Sequence, residues 1–243
     1  MDAGIYVVGS RMHGLLESLE TVADNMANAN TSGYKRSVTG FHAILGSVAS
    51  AGTGQPGTMS PIWPDLTGPM LDLSQGPVRR TNRPLDLAVK GKAFFALDTP
   101  TGRRYTRKGR VLLSSSGELV DASGNRFVGE GGVLNVPEGA AQVTVQTDGQ
   151  VVVGDEPIGR LTLVDIPRPD LLVSEGQGLY RNDGPAAEPA VNAEVIQGAI
   201  EESNVEAVKE MVALIGIMRA YEASSRLVKR MDSLNSKLIK TAM

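Results

Sequence analysis

The sequence predicts an α+β fold: long N- and C-terminal helices paired as a coiled coil, a central all-β domain, and extended connectors between them. Three observations predict it. The first 30 residues carry a heptad-spaced apolar stripe, the last 40 or so carry a wider one, and the middle is a series of short β-branched runs broken by turn signals. The resulting divisions are an N-terminal helix in 1–30, a connector in 31–83, a β-domain in 84–180, a return connector in 181–202 and a C-terminal helix in 203–243.

In the first helix Ile5, Val8, Met12, Leu15, Leu19, Val22 and Met26 alternate three- and four-residue steps, an unbroken a/d seam. The stripe stops at Asn28-Ala29-Asn30-Thr31-Ser32-Gly33, residues that favour caps and turns over helix interior. Gly33 is read either as a tight turn or positive-φ position, where a β-carbon would clash, or as part of a flexible linker. The charge-free stretch from Ser37 to Pro64 is too rich in Gly, Ser and Pro for a spanning helix and reads as a loop.

The β-domain is expected to use Leu85–Val89, Ala93–Leu97, Val133–Val136, Val143–Thr147, Val151–Val153 and Leu161–Ile166 as strands. Asp148-Gly149 between two Val-rich runs predicts a type I′ hairpin. In the last helix, Ser203 and Glu206 have the spacing of a capping box. Val208, Met211, Val212, Ile215 and Met218 form one apolar face, and Leu214, Ile217, Tyr221, Val228, Met231 and Leu238 an adjacent one. Such a width calls for more than one partner helix. Both stripes are candidate helix and subunit interfaces. This helix begins with Glu201, Glu202, Glu206 and Glu210 and ends with Arg226, Lys229, Arg230, Lys237 and Lys240. That polarity fits either simple matching of the helix dipole with solvated charge or a basic tip meeting the acidic base of an axial neighbour.

Composition bounds the chemistry. The chain has 243 residues, 41% hydrophobic and 4% aromatic, so a core of aliphatics and Met is expected. A net charge of −3 gives no general attraction to nucleic acid or to an anionic membrane. The absence of cysteine removes thiol catalysis, Cys-ligated zinc and disulfides. No basic start followed by an apolar run marks a cleaved signal. His13 and His42 have no metal-ligand spacing. Gly52-Thr53-Gly54-Gln55-Pro56-Gly57 matches a dinucleotide fingerprint formally but lacks the strand and helix around it. Arg103, Arg104, Arg107, Lys108 and Arg110 contain only Tyr105 as an aromatic, which favours a solvated or subunit-contacting face over base stacking. The residues thus point to no catalytic site, cofactor or metal. A β-domain hydrolase acting on cell wall and a coiled-coil adaptor are the alternatives to a structural subunit.

Three stretches resemble the bacterial flagellar rod and hook family. The first runs from Asp24, Asn25 and Met26 through Asn28, Asn30, Gly33 and Tyr34 to Lys35-Arg36. The second is Gln75-Gly76-Pro77 followed by Pro84 to Val89, Gly91, Phe94-Phe95 and Tyr105-Thr106-Arg107. The third is Gln197-Gly198-Ala199, Glu202-Ser203-Asn204-Val205, Glu210-Met211-Val212 and Arg219-Ala220-Tyr221-Glu222. Asp24 stands where the family usually has Asn, and Ser32 where it has Pro. Length and compact middle look most like the proximal rod subunit, with the distal rod or hook subunit as the alternative. The resemblance implies a non-enzymatic subunit, without cofactors, that polymerises through its terminal helices into a hollow, torque-transmitting shaft across the periplasm. It implies partners among its own copies, other rod subunits and the flagellar export apparatus, and it implies no membrane insertion.

Overall fold

The computed structural model describes residues 2–42, 65–137, 143–191 and 193–242, with side chains placed for 8–39, 70–137, 143–191 and 193–233. The chain forms two compact units, one of residues 1–26, 37–70 and 207–243, the other of 27–36 and 71–206.

The first unit holds two long helices, α1 (Asp2–Ala27) and α2 (Ala207–Ala242). It also holds strand Ser37–His42, paired with strand Asp65–Leu71. Helix α1 ends where the sequence places its turn residues: the Thr31 N–H donates to the Asn28 carbonyl at 3.0 Å and its hydroxyl to the Asn28 side chain at 3.1 Å. Helix α2 begins later than the capping-box spacing implies. Ser203 lies outside it, and its hydroxyl accepts the N–H of Val205 two residues on, a local turn in place of a helix cap.

The second unit is β-rich, with one short 3-10 turn at Pro169–Leu171 among its described residues. Its main sheet runs in the order Leu172–Ser174, Leu179–Asn182, Gly102–Thr106, Phe94–Thr99, Arg126–Gly129, Leu119–Val120, Leu112–Leu113, all antiparallel. A three-stranded meander, Val143–Val145, Gln150–Val153 and Glu156–Arg160, packs with it. Strands also occupy stretches expected as connectors: Val78–Arg80 pairs with Ala199–Glu201, and Glu194–Gln197 pairs with Leu87–Lys90 of the expected β-domain.

Central strand Phe94–Thr99 explains why Ala93–Leu97 is a continuous apolar run rather than an alternating one. Phe95 and Leu97 enter one buried cluster with Leu87, Val89, Phe127 and Val151. Phe94 and Ala96 enter a second with Tyr105, Val164, Leu172 and Tyr180. A strand buried on both faces needs apolar residues at every position. The expectation of a core built from aliphatics and Met is corrected here. Three of the four phenylalanines and Tyr180 are fully buried, in edge-on pairs Phe94–Tyr180 and Phe95–Phe127 with centroids 5.9 and 5.8 Å apart, and no described Met is buried.

The Asp148-Gly149 hairpin exists, but its turn differs from the type I′ expected. Gly149 alone of the pair has positive φ, at +86°. The Gly149 N–H donates to Gln146 O and the Gln146 N–H to Gln150 O. This is a three-residue loop, a type I turn closed by a left-handed glycine, which places the demand on one residue instead of two.

Candidate functional site

Within the helical unit, α1 and α2 run antiparallel. Asn25, near the end of α1, reaches the Glu210 carboxylate in the first turn of α2 at 3.5 Å. Val8 and Arg11, near the start of α1, line one groove with Ala220, Ala223, Ser224 and Leu227 of α2. Asn25 is fully buried, and its amide acts as a second peptide group: it donates to Ser37 O and accepts from Ser37 N, both at 2.8 Å. The strand that follows is thereby pinned to the helix end. Glu210 is buried in the first turn of α2, where the helix dipole favours an anion.

The seam residues divide. On α1, Val22 is buried and Val8, Met12, Leu15, Leu19 and Met26 are half-buried; the side chain of Ile5 lies outside those described. The most buried line of α1 is offset from the apolar stripe and made of small and polar residues, namely Gly14, Ser18, Thr21, Val22 and Asn25. Ser18 and Thr21 satisfy their hydroxyls on the carbonyls of Gly14 and Glu17, and Ser18 Oγ lies 3.4 Å from Thr39 of the neighbouring strand. On α2, Tyr221, Val228 and Met231 are half-buried, and Leu238 lies outside the described side chains. The other face is open: Val208 is 76% exposed, Val212 65%, and Met211, Ile215 and Met218 about half. Arg219 and Glu222 continue that outward face.

In the β-rich unit the three motif stretches converge on one buried ionic cluster. Glu201 accepts Lys35 Nζ at 2.6 Å and Gly76 N at 3.0 Å on one oxygen, and Arg107 Nη1 at 3.2 Å on the other. All three charged side chains are fully buried. Lys35 also donates to Ser74 O at 2.7 Å, and Arg107 to Val89 O and Gly91 O at 3.2 and 2.6 Å. The Arg107 guanidinium lies over the Phe94 ring, 5.0 Å from its centroid. Burial pushes both cations below their ordinary pKa, and Glu201 opposes that shift. Burial likewise raises the Tyr180 phenol, whose oxygen accepts the Lys35 N–H at 3.0 Å. With its charges out of contact with solvent, this cluster acts as an internal lock.

Neighbouring motif residues extend the lock. Gly33 has φ +69° and donates its N–H to Glu201 O at 2.8 Å. A Cβ there would sit 2.5 Å from the backbone of both Arg107 and Lys108, so the glycine is required twice over. Asn204 accepts the Arg36 N–H at 2.7 Å and donates to Asp72 O and Ser74 O. Tyr34, Ser203 and Val205 are buried beside it, Asn28 caps the turn, and Asn30 is exposed.

Only part of the basic cluster forms the solvated face expected. Arg104 is nearly buried in a pair with Glu175, Arg107 belongs to the lock and Lys108 is half-buried, which leaves Arg103 and Arg110 exposed. The acidic base expected on α2 also changes: Glu201 and Glu210 are buried and already engaged, so neither offers charge to a neighbour. His13 is exposed, while the His42 side chain and Gly52–Gly57 lie outside the described set. Among the described residues no group of three His, Asp or Glu could hold a metal, and no helix is long and apolar enough to cross a membrane.

A buried ionic lock in one unit and an open apolar helix face in the other describe an assembly subunit. Comparison with known proteins agrees along the whole chain. Residues 5–35 match the family described as flagella basal body rod protein, 88–153 the flagellar hook protein FlgE/F/G D1 domain, and 196–242 the flagellar basal body rod FlgEFG protein C-terminal. The chain is 36% identical to the flagellar basal-body rod protein FlgF of Caulobacter vibrioides, over 97% of this chain and 96% of that one. It is 33% identical to FlgF of Rhizobium meliloti (99% and 98%) and 27% identical to the rod protein FlgG of Bacillus subtilis (98% of each). The chain belongs to the flagellar basal-body rod protein family, structural proteins of the flagellum, and within it is most like the proximal rod subunit. The hydrolase alternative finds no support in these relatives.

Proposed function

We propose that this chain polymerises with its own copies and with other rod subunits, through its helical unit, into the hollow shaft that carries torque across the periplasm. In this reading α1 and α2 pair as a coiled coil, and the export apparatus delivers the chain without cleavage of a signal. The observation that carries it is the open apolar face of α2, Val208, Met211, Val212, Ile215 and Met218. An isolated subunit leaves this face in water, and helical neighbours would bury it at about 25 cal/mol per Å². The interface includes the α1 seam, where Leu15 is half-buried and has room for a further partner.

Leu15→Asp tests this. A carboxylate on the seam would cost several kcal/mol at every subunit contact. The variant keeps the β-rich unit folded but is absent from purified basal bodies, and the cells are non-motile. Normal motility with the variant incorporated refutes the reading.

A further inference from the structure

Beyond its apolar half, the outward face of α2 turns basic. Arg219, Glu222, Arg226, Lys229 and Arg230 follow Met218 at helical spacing, and all five are exposed. Among the described residues none of the four cations has a side-chain ion pair. Helix α1 shows the opposite sign. Glu17, Glu20 and Asp24 lie at i, i+3 and i+7, one face of a helix, with Glu20 and Asp24 exposed and Glu17 half-buried; Asp24 already has an interaction within its own copy.

These two stripes do not meet within one copy. The contact of Asn25 with Glu210, and the groove that Val8 and Arg11 share with Ala220 to Leu227, fix the antiparallel register. In that register Glu17 to Asp24 stand level with the apolar half of α2. The centre of the basic stripe lies about ten residues further along, about 15 Å at 1.5 Å per residue.

We propose that the basic stripe of α2 docks on the acidic stripe of α1 of a second copy, displaced about 15 Å along the helix axis. The inference rests on the reading that the helical unit is the assembly surface, and it names the register of that assembly. Two different patches meet, so the contact is heterologous, and a parallel displaced copy repeats it without closing. The excess of four cations over Glu222 on α2, set against Glu17 and Glu20 on α1, supplies attraction and selects register; the apolar half of α2 remains for other neighbours.

The test is sedimentation of the concentrated full chain at ~0.05 M and ~0.5 M salt, which span strong and weak screening. The wild type forms open-ended oligomers that weaken with salt. One variant carries Arg226→Glu, Lys229→Glu and Arg230→Glu, another Glu17→Lys and Glu20→Lys, and each alone associates about tenfold or more weakly. An equimolar mixture of the two recovers association, as does one chain carrying both sets. The proposal is overturned if either variant alone associates like the wild type, if the mixture stays monomeric, if the product is a closed dimer, or if the wild type does not associate. It is also overturned if the basic-stripe variant loses only binding to anionic phosphatidylserine vesicles. Met211→Asp separates the two levels. Loss of association with Met211→Asp but not with the charge variants leaves the helical unit as the assembly surface and removes this register. No loss with either removes both.

Discussion

Replacing Glu201 by Gln is the sharpest perturbation of the β-rich unit. The carboxylate takes hydrogen bonds from Lys35, Arg107 and Gly76 with no solvent exposure, and two cations depend on it. Gln preserves the shape and one acceptor, but it removes the only negative charge of the cluster and turns an NH2 group toward a cation. Breaking a buried pair by neutralising one partner costs about 3–5 kcal/mol. That is a large share of a total stability of about 5–15 kcal/mol. With a urea slope near 2 kcal/mol per M, the unfolding midpoint should fall by about 2 M. The control is the adjacent exposed pair Arg79–Glu202, whose side chains are 57% and 42% exposed. Arg79→Ala should cost no more than about 1 kcal/mol. Adding Lys35→Met to Glu201→Gln should recover part of the loss, because one uncompensated cation is removed. A Glu201→Gln midpoint no lower than that of Arg79→Ala would show that the cluster is not a lock.

Two further outcomes follow from the same unit. Gly33→Val places a Cβ against the Arg107 and Lys108 backbones at a positive φ, so the β-rich unit should lose about 2 kcal/mol or more in urea unfolding, and Gly33→Ala less; a neutral Gly33→Val would place no constraint at that turn. Acid should weaken the unit: the Ser74 N–H holds Asp72 below its ordinary 3.8, and Arg168, Arg104 and Arg181 hold Asp170, Glu175 and Asp183 below theirs. Depressed carboxylates contribute stability that is complete above their ordinary values and is lost as pH falls through the folded ones. The midpoint should therefore stay flat from pH ~6 to ~5 and fall below pH ~4, with a shallower fall in Glu175→Gln; a midpoint independent of pH would refute this.

Legibility of the fold followed the strength of periodicity. The a/d spacing of α1 and the apolar width of α2 were long signals, and both helices stand where the stripes are. Ala93–Leu97 and Val151–Val153 were readable because buried strands are continuously apolar. Gly102–Thr106 was not, because Arg103 and Arg104 mask a strand whose inward residues are Tyr105 and Thr106. Strands of two or three residues, such as Leu119–Val120, are too short for any period to register.

The lock was legible only in pieces. Lys35 and Arg107 stood inside motifs, each one or two residues after a tyrosine, yet nothing local says that they are buried. Glu201 follows Ala199 by two residues and so shares its buried face in a strand, which is the one local signal it offered. Its partners lie 166 and 94 residues away, a distance across which sequence spacing carries no geometry. The polar line of α1 was missed for a related reason. Ser18, Thr21 and Asn25 satisfy their own hydrogen bonds locally, so burial costs them little and hydropathy does not reveal it.

A density map of the intact basal body at side-chain detail decides whether the helical unit is the assembly surface. Polymerisation through the helices requires that Val208, Met211, Val212, Ile215 and Met218 of α2 be buried against a neighbouring subunit. The same face open to solvent, with subunits held together only through their β-rich units, would contradict it.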